Sequence, residues 1–305
     1  MTFTGLFVPL VTPFTASDEI AVEALEGLAH SVLDAGATGL VALGTTAEAA
    51  TLTTEERQRV LEICAQVCGE RNAQLIVGAG TNSTASSINS LATLGSSVAA
   101  ALTVVPYYTR PSEAGVLAHF RELAATSPVP LIVYNVPYRT SRTLSAETLA
   151  ELARIPNIAG FKHAIGGIDD ATVIFMSSLP PGTDVLAGDD LHVAPLLALG
   201  ASGGILASAN VAPAAFSALI SAWRTGTSAD ARPHAHRLAP LSAALFAEPN
   251  PTVIKAVLAA RGQIPTPAVR LPLLPASAQA TAAALAALGR ITDSDTVIPL
   301  AASRR

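Results

Sequence analysis

Short apolar runs alternate with longer amphipathic stretches along most of the chain. The runs hold mainly Val, Leu, Ile and Ala with little polar alternation, as parallel strands covered on both faces do. Their length of four to seven residues also favours strands over buried helices. The runs predict eight strands, over residues 6–10, 39–43, 74–77, 99–105, 130–134, 158–162, 184–187 and 203–206.

The stretches between these runs place apolar residues at helical spacing, which predicts a helix after each strand. One of them opens with Thr53-Thr54-Glu55-Glu56, a capping box in which Thr53 and Glu56 satisfy each other's backbone N–H groups. The predicted helices span residues 22–33, 53–67, 85–94, 112–125, 145–154, 170–178, 191–199 and 213–224.

Eight alternating strand–helix units within residues 1–226 predict an α/β chain with a (β/α)8 TIM barrel as its catalytic domain. A doubly wound open sheet is the alternative, but it would normally carry a Gly-x-Gly-x-x-Gly turn after an early strand, and the sequence has none there.

No further strands are predicted after residue 226. Residues 228–247, 251–261 and 277–288 predict a three-helix C-terminal appendage over 227–292, and we expect 293–305 to be a weakly ordered tail.

Composition narrows the classes of function. The 305 residues are 50% hydrophobic and only 13% charged, and the net charge of −5 argues against a nucleic-acid or anionic-membrane surface. No apolar run approaches the ~18 residues of a membrane span, and the start of the chain lacks a basic signal region, so we expect a cytoplasmic protein. Cys64 and Cys68 should then be free thiols. The low charge also suggests surface buried between subunits.

Lys162 ends the sixth predicted strand, and in a barrel the chemistry gathers at the carboxyl ends of strands. Only Lys162 and Lys255 among the 18 basic residues are lysines. A buried ammonium is costly, but a lysine can lose its proton and attack a carbonyl to form a Schiff base. We predict that Lys162 is such a nucleophile; the alternative is a lysine just past a strand end with its amine in water. Lys255, on a predicted helix, should be an ordinary snorkelling lysine.

The other strand ends carry groups that suit a carboxylate substrate. All four tyrosines follow the fourth and fifth strands, and Tyr134 ends its strand as Lys162 does, so its phenol could pass protons in the same barrel mouth. For the other three, packing at loops or interfaces is an open alternative. Gly44-Thr45-Thr46 offers backbone N–H groups and hydroxyls to a small carboxylate, and Arg139 could bind a second one in bidentate fashion.

No metal site is expected. The six histidines are scattered, and no His/Asp/Glu set falls at the strand ends. Asp189 and Asp190, which follow the seventh strand, suit a helix N-cap and first turn better than metal ligation.

Several of these loops resemble the dihydrodipicolinate synthase / N-acetylneuraminate lyase family of pyruvate-dependent class I aldolases. The resemblance extends from Gly5 to about Pro275, and the Arg139-Thr140 pair together with the 248–251 stretch is similar to the dihydrodipicolinate synthase branch. The matching motifs are Gly44-Thr45-Thr46-x-Glu48, Pro106-Tyr107-Tyr108-x-Arg110-Pro111-Ser112, Tyr134-Asn135-Val136-Pro137-x-Arg139-Thr140, Gly160-Phe161-Lys162, Gly188-Asp189-Asp190 and Glu248-Pro249-Asn250-Pro251.

The resemblance implies four catalytic residues. Lys162 would form the Schiff base with the keto carbon of pyruvate, and Tyr134 would relay protons. Thr45 would pass protons between Tyr134 and Tyr108, which is expected to come from a neighbouring subunit. The implied reaction condenses pyruvate with L-aspartate 4-semialdehyde to 4-hydroxy-tetrahydrodipicolinate, without an external cofactor, in a homotetramer or homodimer.

The resemblance also implies four substrate-binding residues. Thr46, with Thr45, would hold the pyruvate carboxylate, and Arg139 would bind the carboxylate of the aldehyde. Gly188 and Ile205 would line the pocket by backbone contact.

Some positions depart from the family pattern. Ala47 stands where glycine is usual, which should restrict the turn; Ala49 replaces a hydroxyl residue; and His163 follows the nucleophile where an acid is common, which should alter the local charge. Thr54 and Ala85 lie near positions that bind feedback lysine in lysine-sensitive members, so lysine inhibition is not expected. These departures keep open a related aldolase or dehydratase acting on a sugar-derived 2-keto acid, or a paralogue that binds a keto acid without turnover.

Overall fold

The chain folds into a closed barrel of eight parallel strands, ordered as they occur in the sequence. A computed structural model describes the backbone of residues 2–295 and the side chains of residues 2–291. The predicted (β/α)8 barrel is therefore confirmed, with strand ends that move by no more than one residue from the predicted ones. The strands are Gly5–Pro9 (β1), Gly39–Ala42 (β2), Gln74–Gly78 (β3), Ala100–Val104 (β4), Leu131–Asn135 (β5), Ile158–His163 (β6), Asp184–Ala187 (β7) and Gly203–Ile205 (β8).

Helices connect the strands and cover the barrel. The second begins at the predicted capping box, in which the Thr53 hydroxyl accepts from the Glu56 N–H and the Glu56 carboxylate accepts from the Thr53 N–H. The helices around the barrel are Val22–Asp34 (α1), Thr54–Arg71 (α2), Thr84–Ala92 (α3), Glu113–Thr126 (α4), Pro137–Thr140 (α5), Ala146–Leu152 (α6), Asp170–Ser177 (α7), Val193–Ala198 (α8) and Pro213–Thr225 (α9).

The strand pleat sorts side chains between two apolar cores. Ile132 and Tyr134 on β5 point into the barrel, where they join a small core with Leu186 and Ile205, whereas the alternate residues face the helices and join the larger outer core. Tyr134 lies opposite Lys162 in the β5–β6 register. The pleat therefore directs the phenol and the amine into the same barrel.

Three further helices, Ser228–Leu245 (α10), Thr252–Ala260 (α11) and Ala278–Asp295 (α12), form the predicted C-terminal appendage. Helix α10 packs against α9 of the barrel and against α12, so the appendage and barrel share an apolar layer. The division between 1–226 and 227–292 stays a prediction. Helix α12 includes residues 293–295 of the predicted tail, and residues 296–305 lie outside the described part of the chain.

Lys255 corrects one prediction, because it is not a snorkelling surface residue. It lies on α11 with 0% of its surface exposed. Its Nζ donates to Glu48 Oε1 at 2.7 Å and lies 4.1 Å from the centre of the Phe14 ring. Both lysines of the chain are thus buried.

Candidate active site

Lys162 lies inside the barrel beside Tyr134. Its side chain is 6% exposed, and its Nζ lies 4.3 Å from the centre of the Tyr134 ring. Burial lowers the pKa of the Lys162 amine from its ordinary 10.5 to about 8, while the Asp190 and Asp189 carboxylates oppose that shift. A useful fraction of the amine is therefore uncharged near neutral pH, as a Schiff-base nucleophile requires.

The Tyr134 phenol keeps its proton at neutral pH. Burial raises its pKa above the ordinary 10, while the positive charge of Arg139 and a hydrogen bond with Thr45 oppose that shift. Thr45 begins the short 3-10 helix Thr45–Ala47 directly after β2. The structure thus brings Lys162, Tyr134 and Thr45 together in one barrel mouth, as the sequence predicted.

As predicted, Asp189 is the N-cap residue of the 3-10 helix Asp190–His192 and Asp190 lies in its first turn, although no side chain caps the helix. Asp190 also has a second role. Its buried carboxylate accepts hydrogen bonds from the N–H groups of Ala207 and Ser208, so it fixes the loop after β8 rather than its own helix. Burial raises the pKa of Asp190 to about 6, and its hydrogen bonds and the Lys162 charge oppose that rise. Asp189 likewise leaves its own helix uncapped and accepts from the Gly166 N–H.

Gly188 lies directly against the Lys162 side chain. A methyl group at Gly188 would meet Lys162 Cγ at 2.9 Å and Ala164 Cβ at 2.7 Å, distances that real Cβ atoms do not tolerate. Ile205 lies in the small inner core with Tyr134 and Leu186. The absence of a side chain at Gly188 is therefore what leaves room for the lysine.

The 44–48 turn carries the predicted carboxylate-binding residues. Thr46 is buried in it, and its hydroxyl accepts a hydrogen bond from Asn250 Nδ2 at 3.0 Å. Ala47 has no positive φ; the left-handed residue is Glu48, with φ of 54°. This position therefore does not need the freedom of glycine, and the effect of Ala47 on the carboxylate-binding turn stays a prediction.

A cavity of about 830 Å³ opens above these residues. Thr45, Tyr134 and Arg139 line it, and Lys162 lies just below, in contact with the Tyr134 ring. Arg139 is exposed on α5, where its Nε donates to the Tyr138 hydroxyl at 2.9 Å. Within residues 2–291 it forms no ion pair, so its guanidinium is available to a carboxylate in the cavity.

Tyr108 is separate from this cluster. It is 90% exposed and has a positive φ of 66°. Its neighbour Tyr107 lines the cavity, but Tyr108 does not. Within one chain the structure therefore does not bring Tyr108 to Thr45, and its role in a neighbouring subunit stays a prediction.

His163 places a neutral ring where an acid is common in the family, which is the altered charge that was expected, but the ring does not face Lys162. The pleat turns it out of the barrel, where its Nε2 lies 3.0 Å from Thr172 Oγ1 and its ring contacts Phe175. Burial lowers its pKa to about 4. The ring is therefore neutral at physiological pH.

Within the described residues no group of three or more His, Cys, Asp or Glu side chains could hold a metal ion. Cys64 and Cys68 are free and buried in α2, and burial raises the pKa of both thiols. The described helices include none long and apolar enough to cross a membrane.

Comparison with known proteins agrees with this geometry. The profile of the Dihydrodipicolinate synthetase family matches residues 2–290. The chain belongs to the dihydrodipicolinate synthetase family. One relative, named 4-hydroxy-tetrahydrodipicolinate synthase, from Exiguobacterium sp., is 40% identical over 294 residues, which cover 95% of this chain and 99% of the relative.

Solved structures of the family superpose along the whole barrel. The 4-hydroxy-tetrahydrodipicolinate synthase of Methylacidiphilum fumariolicum SolV has a TM-score of 0.91 at 32% identity, over 97% of this chain and 98% of that one. The chloride-inhibited dihydrodipicolinate synthase of Acinetobacter baumannii, complexed with pyruvate, has a TM-score of 0.89 at 35% identity, over 94% and 99%. The predicted family is confirmed, and the chain is a lyase of the 4-hydroxy-tetrahydrodipicolinate synthase class.

Sequence reasoning missed the supports behind the site. The contact of Asp190 with the loop after β8, the burial of Lys255, and the supporting contacts of Glu48 and Asn250 were not predicted. The rarity of lysine could have indicated Lys255. For Asn250 no local signal existed, because its contact with Thr46 joins residues 204 positions apart.

Proposed function

We propose that the chain condenses pyruvate with L-aspartate 4-semialdehyde to give 4-hydroxy-tetrahydrodipicolinate and water, and that Lys162 is the Schiff-base nucleophile. The observation that carries the proposal is the buried Lys162 amine, 4.3 Å from the Tyr134 ring centre, with its pKa lowered to about 8. Relatives about 40% identical that bear the name of this synthase support the choice of substrates.

The first half of the reaction forms an enamine. The neutral Lys162 amine adds to the keto carbon of pyruvate, and the Tyr134 phenol gives its proton to the hydroxyl that leaves as water. The resulting iminium draws electrons from the methyl group, which loses a proton to the Tyr134 phenolate. Because the iminium is itself the electron sink, we propose that no external cofactor takes part.

The second half forms the carbon–carbon bond and releases the lysine. The enamine carbon attacks the aldehyde, and the new alkoxide takes a proton from Tyr134. The amino group of the semialdehyde then adds to the iminium carbon and displaces Lys162 as a free amine, and Tyr134 recovers the proton that this nitrogen loses. One water leaves in the whole cycle.

Carboxylate recognition divides between two places. The 44–48 turn supplies N–H groups and the Thr45 and Thr46 hydroxyls for pyruvate, next to the Lys162–Tyr134 pair. Arg139 lies further out on the cavity wall, where a bidentate contact suits the carboxylate of the aldehyde. The backbone of Gly188 and Ile205 completes the pocket. We also propose a homo-oligomer, homotetrameric or homodimeric, in the cytoplasm, with Tyr108 contributed across subunits.

Borohydride trapping tests the nucleophile. Incubation with pyruvate and borohydride should add one reduced pyruvyl group to the protein, and peptide mapping should find it on Lys162. Lys255 is the built-in control, because it is the other lysine and its amine is held by Glu48. Failure to modify Lys162 would overturn the aldolase assignment and favour a paralogue without turnover.

The acceptor is tested separately with a panel of aldehydes assayed with pyruvate. L-Aspartate 4-semialdehyde should give the highest kcat/KM. A higher value for a sugar-derived aldehyde would refute the proposed acceptor while leaving Lys162 as the nucleophile.

Arg139→Ala should raise the KM for the semialdehyde far more than that for pyruvate, because only the carboxylate of the semialdehyde is assigned to Arg139.

A further inference from the structure

The 44–48 turn is held by residues from outside the barrel strands. At its centre the Ala47 carbonyl accepts from the Thr12 hydroxyl at 2.8 Å. At its end the Glu48 carboxylate accepts from Lys255 Nζ at 2.7 Å and from the Arg270 N–H at 2.8 Å. Lys255 and Arg270 both belong to the C-terminal appendage, so the appendage fixes the position of the turn.

Asn250, just before α11, reaches the same turn. Its Nδ2 donates to Thr46 Oγ1 at 3.0 Å, and Thr46 is 3% exposed. An amide NH2 group can only donate, so the Thr46 oxygen acts as acceptor in this contact. The proton of that hydroxyl must therefore point away from Asn250.

The direction of that proton matters for a bound carboxylate. A carboxylate accepts hydrogen bonds and donates none, so Thr46 helps to bind it only when the hydroxyl proton points toward it. A freely rotating hydroxyl would spend part of its time in other orientations. With Asn250 occupying one acceptor site of the oxygen, the proton is restricted to orientations that point away from Asn250.

We propose that Asn250 is a positioning residue for pyruvate, which orients the Thr46 hydroxyl as a donor to the substrate carboxylate. The inference rests on the proposed function, because it assumes pyruvate at the 44–48 turn. The inference assigns a role in substrate binding to the 248–251 stretch, although this stretch does not follow a barrel strand. The Lys255–Glu48 pair keeps the turn where Asn250 can reach it.

Asn250→Asp is the sharpest test, because an aspartate would accept the Thr46 proton and turn it away from the substrate. The pyruvate concentration that half-saturates borohydride trapping should rise by at least about tenfold, the effect expected when a hydrogen bond to a charged group is lost. Asn250→Ala, which merely frees the hydroxyl, should give a smaller rise. Asn89→Asp is the matched control, since Asn89 is exposed and lines the same cavity; it should leave half-saturation within about twofold.

Methyl pyruvate separates hydroxyl orientation from general damage. It has the same keto carbon but no carboxylate charge, so Asn250→Asp should change its half-saturation much less than that of pyruvate. An equal rise for both compounds would mean that the turn has moved, and the inference would be wrong. An unchanged half-saturation for pyruvate would also overturn it.

Two further arms keep the result interpretable. If Asn250→Asp does not fold, Thr46→Val and the double variant Thr46→Val/Asn250→Ala replace it. The double variant should have the same half-saturating pyruvate concentration as Thr46→Val, because Asn250 acts through Thr46. Additive increases would refute that dependence. If the wild-type protein itself is not trapped by pyruvate, the proposed function fails and this inference with it. If the wild type is trapped but the Asn250 variants keep the wild-type half-saturating pyruvate concentration, only this inference is overturned.

Discussion

At the scale of single residues, the site depends on how burial changes the two ionisable groups in the barrel. Burial lowers the pKa of Lys162 to about 8 and raises that of Tyr134 above 10, so the two shifts widen the pH range in which a free amine faces a protonated phenol. Strand periodicity alone indicated that both point inward. The sizes of the shifts depend on the surrounding core and on Asp190, which no local pattern indicated.

The pH dependence of trapping should follow Lys162. The free amine is the nucleophile, so the initial trapping rate at low pyruvate should rise with pH, with a midpoint near 8, and level off above it. The rate should be measured from about pH 6 to about pH 10. A midpoint near the ordinary lysine value of 10.5 would show that the amine is not desolvated.

Asp190→Asn should move that midpoint to lower pH. The negative charge of Asp190 favours the charged form of Lys162 and so raises the lysine pKa. Replacing Asp190 with neutral asparagine removes that charge and should lower the lysine pKa. Ala207 and Ser208 donate to different oxygens of the Asp190 carboxylate, so the asparagine oxygen keeps one of these two hydrogen bonds, and a thermal unfolding curve should show that the loop stays folded. Asp170→Asn, on the outer helix α7, is the control and should leave the midpoint unchanged.

Gly188→Ala should lower kcat/KM for pyruvate by about 100-fold, because the new methyl group displaces the Lys162 side chain and small misplacements of a reacting group have effects of that size. Steady-state kinetics and a thermal unfolding curve should be compared. Gly167→Ala is the matched control, since a methyl group there meets nothing within 4 Å. Wild-type kinetics in Gly188→Ala would show that the lysine has space to move.

At the scale of elements, α11 and the segments on either side of it support the 44–48 turn. The Lys255–Glu48 pair is fully buried, and burial lowers the pKa of Lys255 while Glu48 opposes that change. A buried pair contributes little compared with an apolar replacement, but loss of one partner leaves a bare charge. The Lys255–Glu48 pair therefore matters more for the position of the 44–48 turn than for the stability of the fold relative to an apolar pair.

Lys255→Met should reduce the free energy of unfolding by roughly 3–5 kcal/mol, since Glu48 would keep a buried charge without its partner. The double variant Lys255→Met/Glu48→Gln should recover part of this loss, because it removes both charges. Urea unfolding curves of Lys255→Met, Glu48→Gln and the double variant measure the three differences from the wild type. Strictly additive losses would indicate that the pair does not interact in solution.

At the scale of the whole molecule, Tyr108 lies apart from the site to which it is proposed to contribute. Tyr108 is exposed on the loop after β4, away from the Thr45–Tyr134 contact that it is expected to extend. Leu271 and Leu274, on the connection between α11 and α12, are 76% and 69% exposed. Solvent-exposed apolar side chains agree with the low fraction of charged residues in the sequence and with the proposed association of subunits.

Subunit complementation tests the contribution of Tyr108. The variants Tyr108→Phe and Lys162→Ala should each have little activity, and mixing them under conditions that exchange subunits should restore part of it. A mixed dimer then has one site with both Lys162 and a partner tyrosine. If mixing restores nothing while exchange is verified by mass spectrometry, Tyr108 does not act across subunits.

The sequence by itself determined the barrel and singled out the lysine that we propose as the nucleophile. Apolar runs of strand length fix which segments are strands, and the pleat of each strand fixes which side chains point inward. A lysine at the end of such a strand is then a candidate for Schiff-base chemistry. Only the tertiary structure decided which distant residues surround that lysine and which hold the 44–48 turn. Asp190, Gly188, Asn250 and Lys255 act through contacts between segments far apart in the chain, and local periodicity carries no information about such pairs.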